Sequence, residues 1–144
     1  MISVDDVLIS IRPRFADAIF NGAKTVEIRR KIPPMKLGSR LWIYVTKPVG
    51  EVRGIAWIAD IIEGDHEAVW DACGSRTGLA RADFNRYLHG SAKAYGLVLR
   101  DVEIGTPASM EALRELRPGF HPPQVVTRLT APEAEGLQRH LFPV

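Results

Sequence analysis

The sequence predicts an α+β protein: a single domain over residues 1–144, built as one mixed β-barrel of five or six strands flanked by short helices. Three observations carry this. Strand-like segments are interrupted by helical ones, without the regular strand–helix–strand succession of a doubly wound sheet. A chain of 144 residues fits one domain, and 46% hydrophobic residues suffice for one ordinary core. No repeat, low-complexity tract or linker divides the chain.

The elements follow in order. Residues 7–11 form a short apolar, β-branched run that reads as a buried strand. Pro13 suits the first turn of a helix, where its missing N–H would be unpaired anyway. Phe15/Ile19 and Ala16/Phe20 recur at i, i+4 and give that helix an apolar stripe, which Asn21-Gly22 ends. Residues 25–29 alternate, with Val26 and Ile28 on one face and Thr25, Glu27 and Arg29 on the other. Pro33-Pro34 opens a loop. Residues 40–46 alternate again, Leu41, Ile43 and Val45 opposing Trp42, Tyr44 and Thr46. A turn at 47–50 leads to a long strand over 51–62, with Gly54 as a bend or bulge. Residues 65–73 and 81–88 read as helices, 94–104 as a strand, and 109–116 as a helix capped by Ser109. Residues 125–129 form a last strand and 132–141 a terminal helix.

Composition excludes several classes. No apolar run approaches the roughly 20 residues that span a membrane. The segment Met1 to Asp6 carries two acids and no basic region, unlike a secretory leader. The lone Cys73 permits no internal disulfide and no cysteine-based zinc cluster. His66, His89, His121 and His140 are scattered without ligand spacing. No phosphate-binding Gly-rich loop and no Gly-x-Ser-x-Gly elbow occurs. These features point to a cytoplasmic protein with no metal or cofactor.

Charge is unevenly placed. The formal net charge is +2, but residues 12–53 hold ten basic side chains against three acids, or +7. A one-sided basic surface attracts polyanions through phosphate contacts and counterion release. The densest cluster is Lys24, Glu27, Arg29, Arg30 and Lys31. Glu27 and Arg29 share a strand face and can pair. Trp42 and Tyr44 offer a stacking platform for a base.

Gly22-Ala23-Lys24-Thr25-Val26-Glu27-Ile28-Arg29, preceded by Ile9-Ser10-Ile11-Arg12-Pro13 and a helix, resembles the opening of ASCH domains. Their hallmark is G-x-K-x-x-E-x-R, and Gly22, Lys24, Glu27 and Arg29 fill every fixed position. Residues 43–49, the Gly54 strand, Ala94-Tyr95 and Pro122-Pro123-Gln124 resemble a subgroup labelled predicted transcriptional regulators. The likeness implies a PUA-like barrel with a Lys/Glu-lined cleft. It also implies RNA binding, with recognition of a modified base as in the related YTH and EVE domains.

Three functions compete. The first is a nucleic-acid-binding module that takes single-stranded RNA, with a base or nucleoside in the cleft. Its binding set is Arg12, Lys24, Glu27, Arg29, Arg30, Tyr44, Thr46 and Lys47. The second is an enzyme. In a weak ribonuclease, Lys24 would stabilise phosphate charge and Tyr44 would help transfer a proton. The small amidohydrolases of the family use a Lys, a Thr and a Glu on N4-acetylcytidine. Lys24 matches their lysine, but Glu27 stands at their threonine, and residues 72–82, which match the stretch holding their glutamate, contain no acid. Deacetylation is therefore not expected. The third is a small-ligand sensor with the same cleft and a nucleoside ligand. Lys24→Ala and Tyr44→Ala are expected to weaken RNA binding with thermal stability nearly intact.

Overall fold

The computed structural model describes residues 5–144. The reading of the N-terminus as no leader falls largely on residues 1–4, outside the described residues. The chain runs β1 (Asp6–Ile11), α1 (Pro13–Phe20), β2 (Val26–Arg29), β3 (Arg40–Val45), β4 (Glu51–Gly64), α2 (His66–Cys73), α3 (Arg81–Leu88), β5 (Ala94–Ser109), α4 (Met110–Leu116), β6 (Thr127–Arg128) and α5 (Ala131–Leu141). A 3-10 turn over Gly74–Arg76 lies between α2 and α3.

The strands form one mixed sheet of order β2-β5-β4-β3-β1-β6. β1 pairs parallel with β3, and every other neighbouring pair is antiparallel. The sheet curls into a half-barrel; among the described residues no ladder joins β2 to β6. No helix among them is long and apolar enough to cross a membrane.

Period-2 alternation distributes the strands' apolar side chains over both faces. Leu41, Ile43 and Val45 join Val7, Ile9 and the α1 residues Ala16 and Ile19 in one cluster. Trp42 and Tyr44 join Leu8 and the helical residues Leu113 and Leu137 in a second. Val26 and Ile28 pack on Val69, Phe84 and Leu88 of α2 and α3 in a third. Both sheet faces are thus covered, and the Glu27 face of β2 is left to open on a cleft.

Two boundaries differ from the sequence expectation. β5 continues to Ser109, because the first residues of β4 hold it in register, Glu51 opposite Ser109 and Val52 opposite Ala108. β6 shrinks to two residues, since only Thr127 and Arg128 pair with β1. Gly54 does mark a bulge, with the β4–β5 register shifting between Val52 and Gly54. A Cβ there would sit 2.4 Å from the Glu103 carbonyl oxygen and 2.8 Å from a Phe20 ring carbon. The backbone oxygen has little room to retreat. Gly54→Ala should therefore cost about 1–3 kcal/mol in urea unfolding, and an unchanged midpoint would contradict this packing.

The start of α5 is closed by a reciprocal capping box. The Thr130 hydroxyl accepts from the Glu133 backbone N–H at 3.3 Å, and the Thr130 N–H donates to Glu133 Oε1 at 2.8 Å. Arg117 grips the same carboxylate through Nε and Nη2. The Arg117 hydrogen bonds, helped by those of Thr130 and opposed by burial, hold the Glu133 carboxyl at about 2. A lowered carboxylate pKa gives stability that is full above the unfolded value and fades as pH falls through about 2. Arg117 is 38% exposed, so screening trims the contribution to roughly 1–2 kcal/mol. Glu133→Gln should lower stability at neutral pH, and its deficit against wild type should shrink between about pH 4.5 and 2 in acid titrations.

Candidate nucleic-acid interface

The exit from α1 aims the first cleft residue. Gly22 takes φ +86°, which glycine adopts without Cβ strain. The Lys24 backbone N–H then bonds back to the Ala18 carbonyl at 3.0 Å. Lys24 is only 2% exposed. Its Nζ lies 3.2 Å from Glu27 Oε1, donates to the Thr77 carbonyl oxygen, and stands 5.3 Å from the Phe15 ring centroid. Thr77 is itself fixed: its hydroxyl donates to the Gly74 carbonyl at 2.7 Å and accepts from the Leu79 N–H at 3.2 Å. The Thr25 N–H reaches the Arg76 carbonyl at 3.0 Å, so the turn between α2 and α3 is stitched to the start of β2.

Glu27 holds a second cation. Its Oε2 accepts from Arg29 Nε at 3.1 Å and Nη2 at 2.8 Å. Arg29 Nη2 also donates to the Ser10 carbonyl of β1 at 2.6 Å. A continuous chain of charge therefore runs from the 74–78 turn through β2 to β1. It contains two cations and one carboxylate, a net positive floor.

Above this floor lies a cavity of about 490 Å³. Its walls include Arg12, Arg14, Phe15 and Leu79, with Asp83, Arg86 and Tyr87 of α3. Asp83 is paired with Arg86 at 3.0 Å. Asp83 lies just past the acid-free stretch 72–82 and does bring a second carboxylate to the cavity. A volume of this order suits a small organic ligand.

The structure brings four members of the predicted set together here: Arg12, Lys24, Glu27 and Arg29. Arg30 lies in an adjoining cavity. Thr46 and Lys47 sit in the turn after β3, which bonds to β1 through the Thr46 N–H and the Ile11 carbonyl, and neither lines these cavities. The stacking platform needs correction. Strand alternation carries Trp42 and Tyr44 to the opposite sheet face, where they are 0% and 1% exposed. The Tyr44 ring packs 6.3 Å from Phe120, and its buried hydroxyl has no hydrogen-bond partner among the described residues. Burial also pushes the Tyr44 phenol above its ordinary range. It therefore cannot work beside Lys24 as a stacking face or a proton donor.

The aromatics that do reach the cavity are Phe15 and Tyr87. Tyr87 is 41% exposed at the end of α3. Nothing in the local pattern singles it out, since its place beside β2 is set by the packing of Phe84 and Leu88. Cys73 is buried, donates to the Val69 carbonyl at 3.2 Å, and has its thiol pKa pushed up by burial. That is the setting of a structural thiol. Among the described residues no group of three or more His, Cys, Asp or Glu side chains could hold a metal ion.

Burial changes the expected cost of truncation. Lys24→Ala would strip Glu27 Oε1 and the Thr77 carbonyl of their lysine partner while Arg29 still pairs with Glu27, a loss of about 1–3 kcal/mol. Tyr44→Ala empties a core site and costs about 3–5 kcal/mol. Neither variant should keep the near-native stability expected from sequence. The paired exchange Lys24→Met with Glu27→Gln should be milder than Lys24→Ala in urea unfolding. Equal midpoints for Lys24→Ala and wild type would refute the buried network.

Comparison with known proteins identifies the family and the fold. The model of the ASCH domain matches residues 9–105. An ASCH domain-containing ribonuclease of Zymomonas mobilis is 39% identical over 132 residues, covering 92% of this chain and 89% of that one. A crystal structure of ASCH from Zymomonas mobilis superposes with a TM-score of 0.88 at 39% identity, covering 92% of this chain and 93% of that one. A hypothetical protein from Leishmania major shares the fold at 13% identity, with a TM-score of 0.59 over 95% and 94% of the two chains. On the family match and the 39% identity together, this chain belongs to the ASCH domain family.

Proposed function

We propose that the protein binds single-stranded RNA, with one base seated over the Lys24–Glu27 floor. The observation that carries this is the cavity itself: buried, fixed hydrogen-bonding charges below, Phe15 and Tyr87 at the sides, and Arg12, Arg14 and Arg86 around it. The Lys24 ammonium, engaged by Glu27 and Thr77 and facing the Phe15 ring, lines the cavity and would present its positive charge to a ligand oxygen. Glu27 has acceptor capacity beyond its two cations for a base amino group. The arginines suit phosphates. The regulatory role implied by the subgroup resemblance would use this same surface, in the cytoplasm.

A second reading, weak RNA cleavage, is favoured by the ribonuclease name of the 39%-identical relative. The groups for it are present. Glu27 would accept the 2′-hydroxyl proton as that oxygen attacks the adjacent phosphorus. Lys24 and Arg29 would stabilise charge on the phosphoryl oxygens as the bond to the 5′-oxygen breaks. The leaving 5′-oxygen would take its proton from water, and the product would be a 2′,3′-cyclic phosphate.

RNA affinity should fall with salt, with a slope of log K against log salt of about −0.7 per neutralised phosphate. Arg12→Ala with Arg14→Ala should weaken binding and flatten that slope. A salt-insensitive affinity, confined to free nucleosides, would replace this reading with the small-ligand sensor. RNA with methylated 2′-hydroxyls should bind yet resist any cleavage seen with the unmodified strand. Cleavage of the methylated strand would sink the 2′-hydroxyl route.

A further inference from the structure

The cleft does not end at the Lys24 cavity. A second cavity of about 420 Å³ adjoins it, and the two share Arg29 and Tyr87 as common walls. Arg30, Lys31 and Gln124 line the far side, and no carboxylate lines this cavity. Arg30 and Lys31 are exposed, and neither has an ion-pair partner among the described residues. Such a cation-only pocket attracts an anion. We propose that this second cavity is a subsite for the neighbouring nucleotide of the same RNA strand. The connecting phosphate lies at Arg29, Arg30 and Lys31, and Tyr87 is the wall between successive bases.

This inference rests on the RNA-binding reading and deepens it: the preferred ligand is at least a dinucleotide, not a free nucleoside. Three features argue for one strand across both cavities over two separate ligands. Consecutive nucleotides are joined by a single phosphate, and a single guanidinium, that of Arg29, stands at the junction. The bonds to Glu27 and Ser10 use Arg29 Nε and Nη2, which leaves Nη1 for a phosphate oxygen. Tyr87 presents a half-exposed ring to both sides, where bases stack without regard to sequence. Burial holds its phenol above the ordinary range, so the ring stays neutral at working pH.

The test uses the full chain and three ligands: nucleoside monophosphates, dinucleotides, and a short mixed-sequence single-stranded RNA, read by calorimetry or fluorescence anisotropy. Wild type should bind a dinucleotide at least about tenfold more tightly than either monophosphate. Arg30→Ala with Lys31→Ala should remove most of that gain and lower the salt slope by about 0.7 for the lost phosphate. Tyr87→Ala should weaken RNA binding by about 5-fold to 150-fold, and Tyr87→Phe should retain it. If wild type binds RNA and the Lys24→Met, Glu27→Gln exchange weakens it, but the Arg30, Lys31 variant keeps affinity and slope, the subsite falls and the first cavity stands. A dinucleotide bound no better than a monophosphate has the same consequence. If inorganic phosphate alone occupies the second cavity and does not compete with RNA, the proposal is likewise overturned. If wild type binds no RNA at all, both readings fall together.

Discussion

A lysine ammonium held at 2% exposure is the constraint from which the site follows. Removing such a charge from water is costly unless partners replace its hydration. Lys24 obtains them from three parts of the chain. Glu27 supplies the opposite charge, the Thr77 carbonyl supplies a dipole, and the Phe15 ring supplies a π-face. Each partner must then be held in place. Thr77 is locked by its hydroxyl bond to Gly74, and Glu27 by Arg29, which is tied in turn to Ser10. The α2–α3 excursion is thus anchored to the sheet by the same contact that buries the lysine. The floor of the cleft is preorganised, because moving any one member strands a charge.

Much of the scaffold was legible because it rests on local periodicity. The opposed faces of β3, the proline-started and glycine-terminated α1, and the Gly54 bulge all follow from short-range patterns. What periodicity assigns is a face, not its exposure. Trp42 and Tyr44 do lie opposite Leu41, Ile43 and Val45, yet α4 and α5 cover them, and that covering is a long-range event. Tyr87 is the converse. It lies off the Phe84/Leu88 stripe of a short, largely polar helix, and only the docking of α3 brings it to the cleft. The length of β5 was also hidden, since Gly105 and Pro107 read as breakers, whereas the ladder steps past them from Gly54 opposite Ile104 to Val52 opposite Ala108. The sequence expectation begins the last helix at residue 132 without a cap, and the structure starts it at Ala131 behind the Thr130–Glu133 capping box.

Segment charge translates imperfectly into surface charge. Of the ten basic residues between 12 and 53, Arg12, Arg14, Lys24, Arg29, Arg30 and Lys31 converge on the two cavities. Arg40 is spent elsewhere, on Asp6 and against the rings of Trp42 and Trp57, and Arg53 on Glu51. Arg86 arrives from the acidic remainder of the chain. The positive field at the cleft is therefore a product of topology: β2, the end of β1 and the start of α1 meet there, and α3 closes the side.

The same groups bear on which chemistry the cleft suits. Acyl transfer needs a hydroxyl or thiol poised beside a base. Around Lys24 the neighbours are a carboxylate, a backbone carbonyl and a phenyl ring, while the Thr77 hydroxyl is buried and committed to Gly74. RNA brings its own nucleophile in the 2′-hydroxyl, so a protein acting on it need supply only an acceptor for one proton and cations for the phosphoryl oxygens. Glu27 between Lys24 and Arg29 has that composition. The composition also sets a limit. Both Glu27 oxygens are already engaged, Oε1 by Lys24 and Oε2 by Arg29. Fold membership alone would not separate binding from cleavage; both rest on the chemistry of the three charged side chains on the floor.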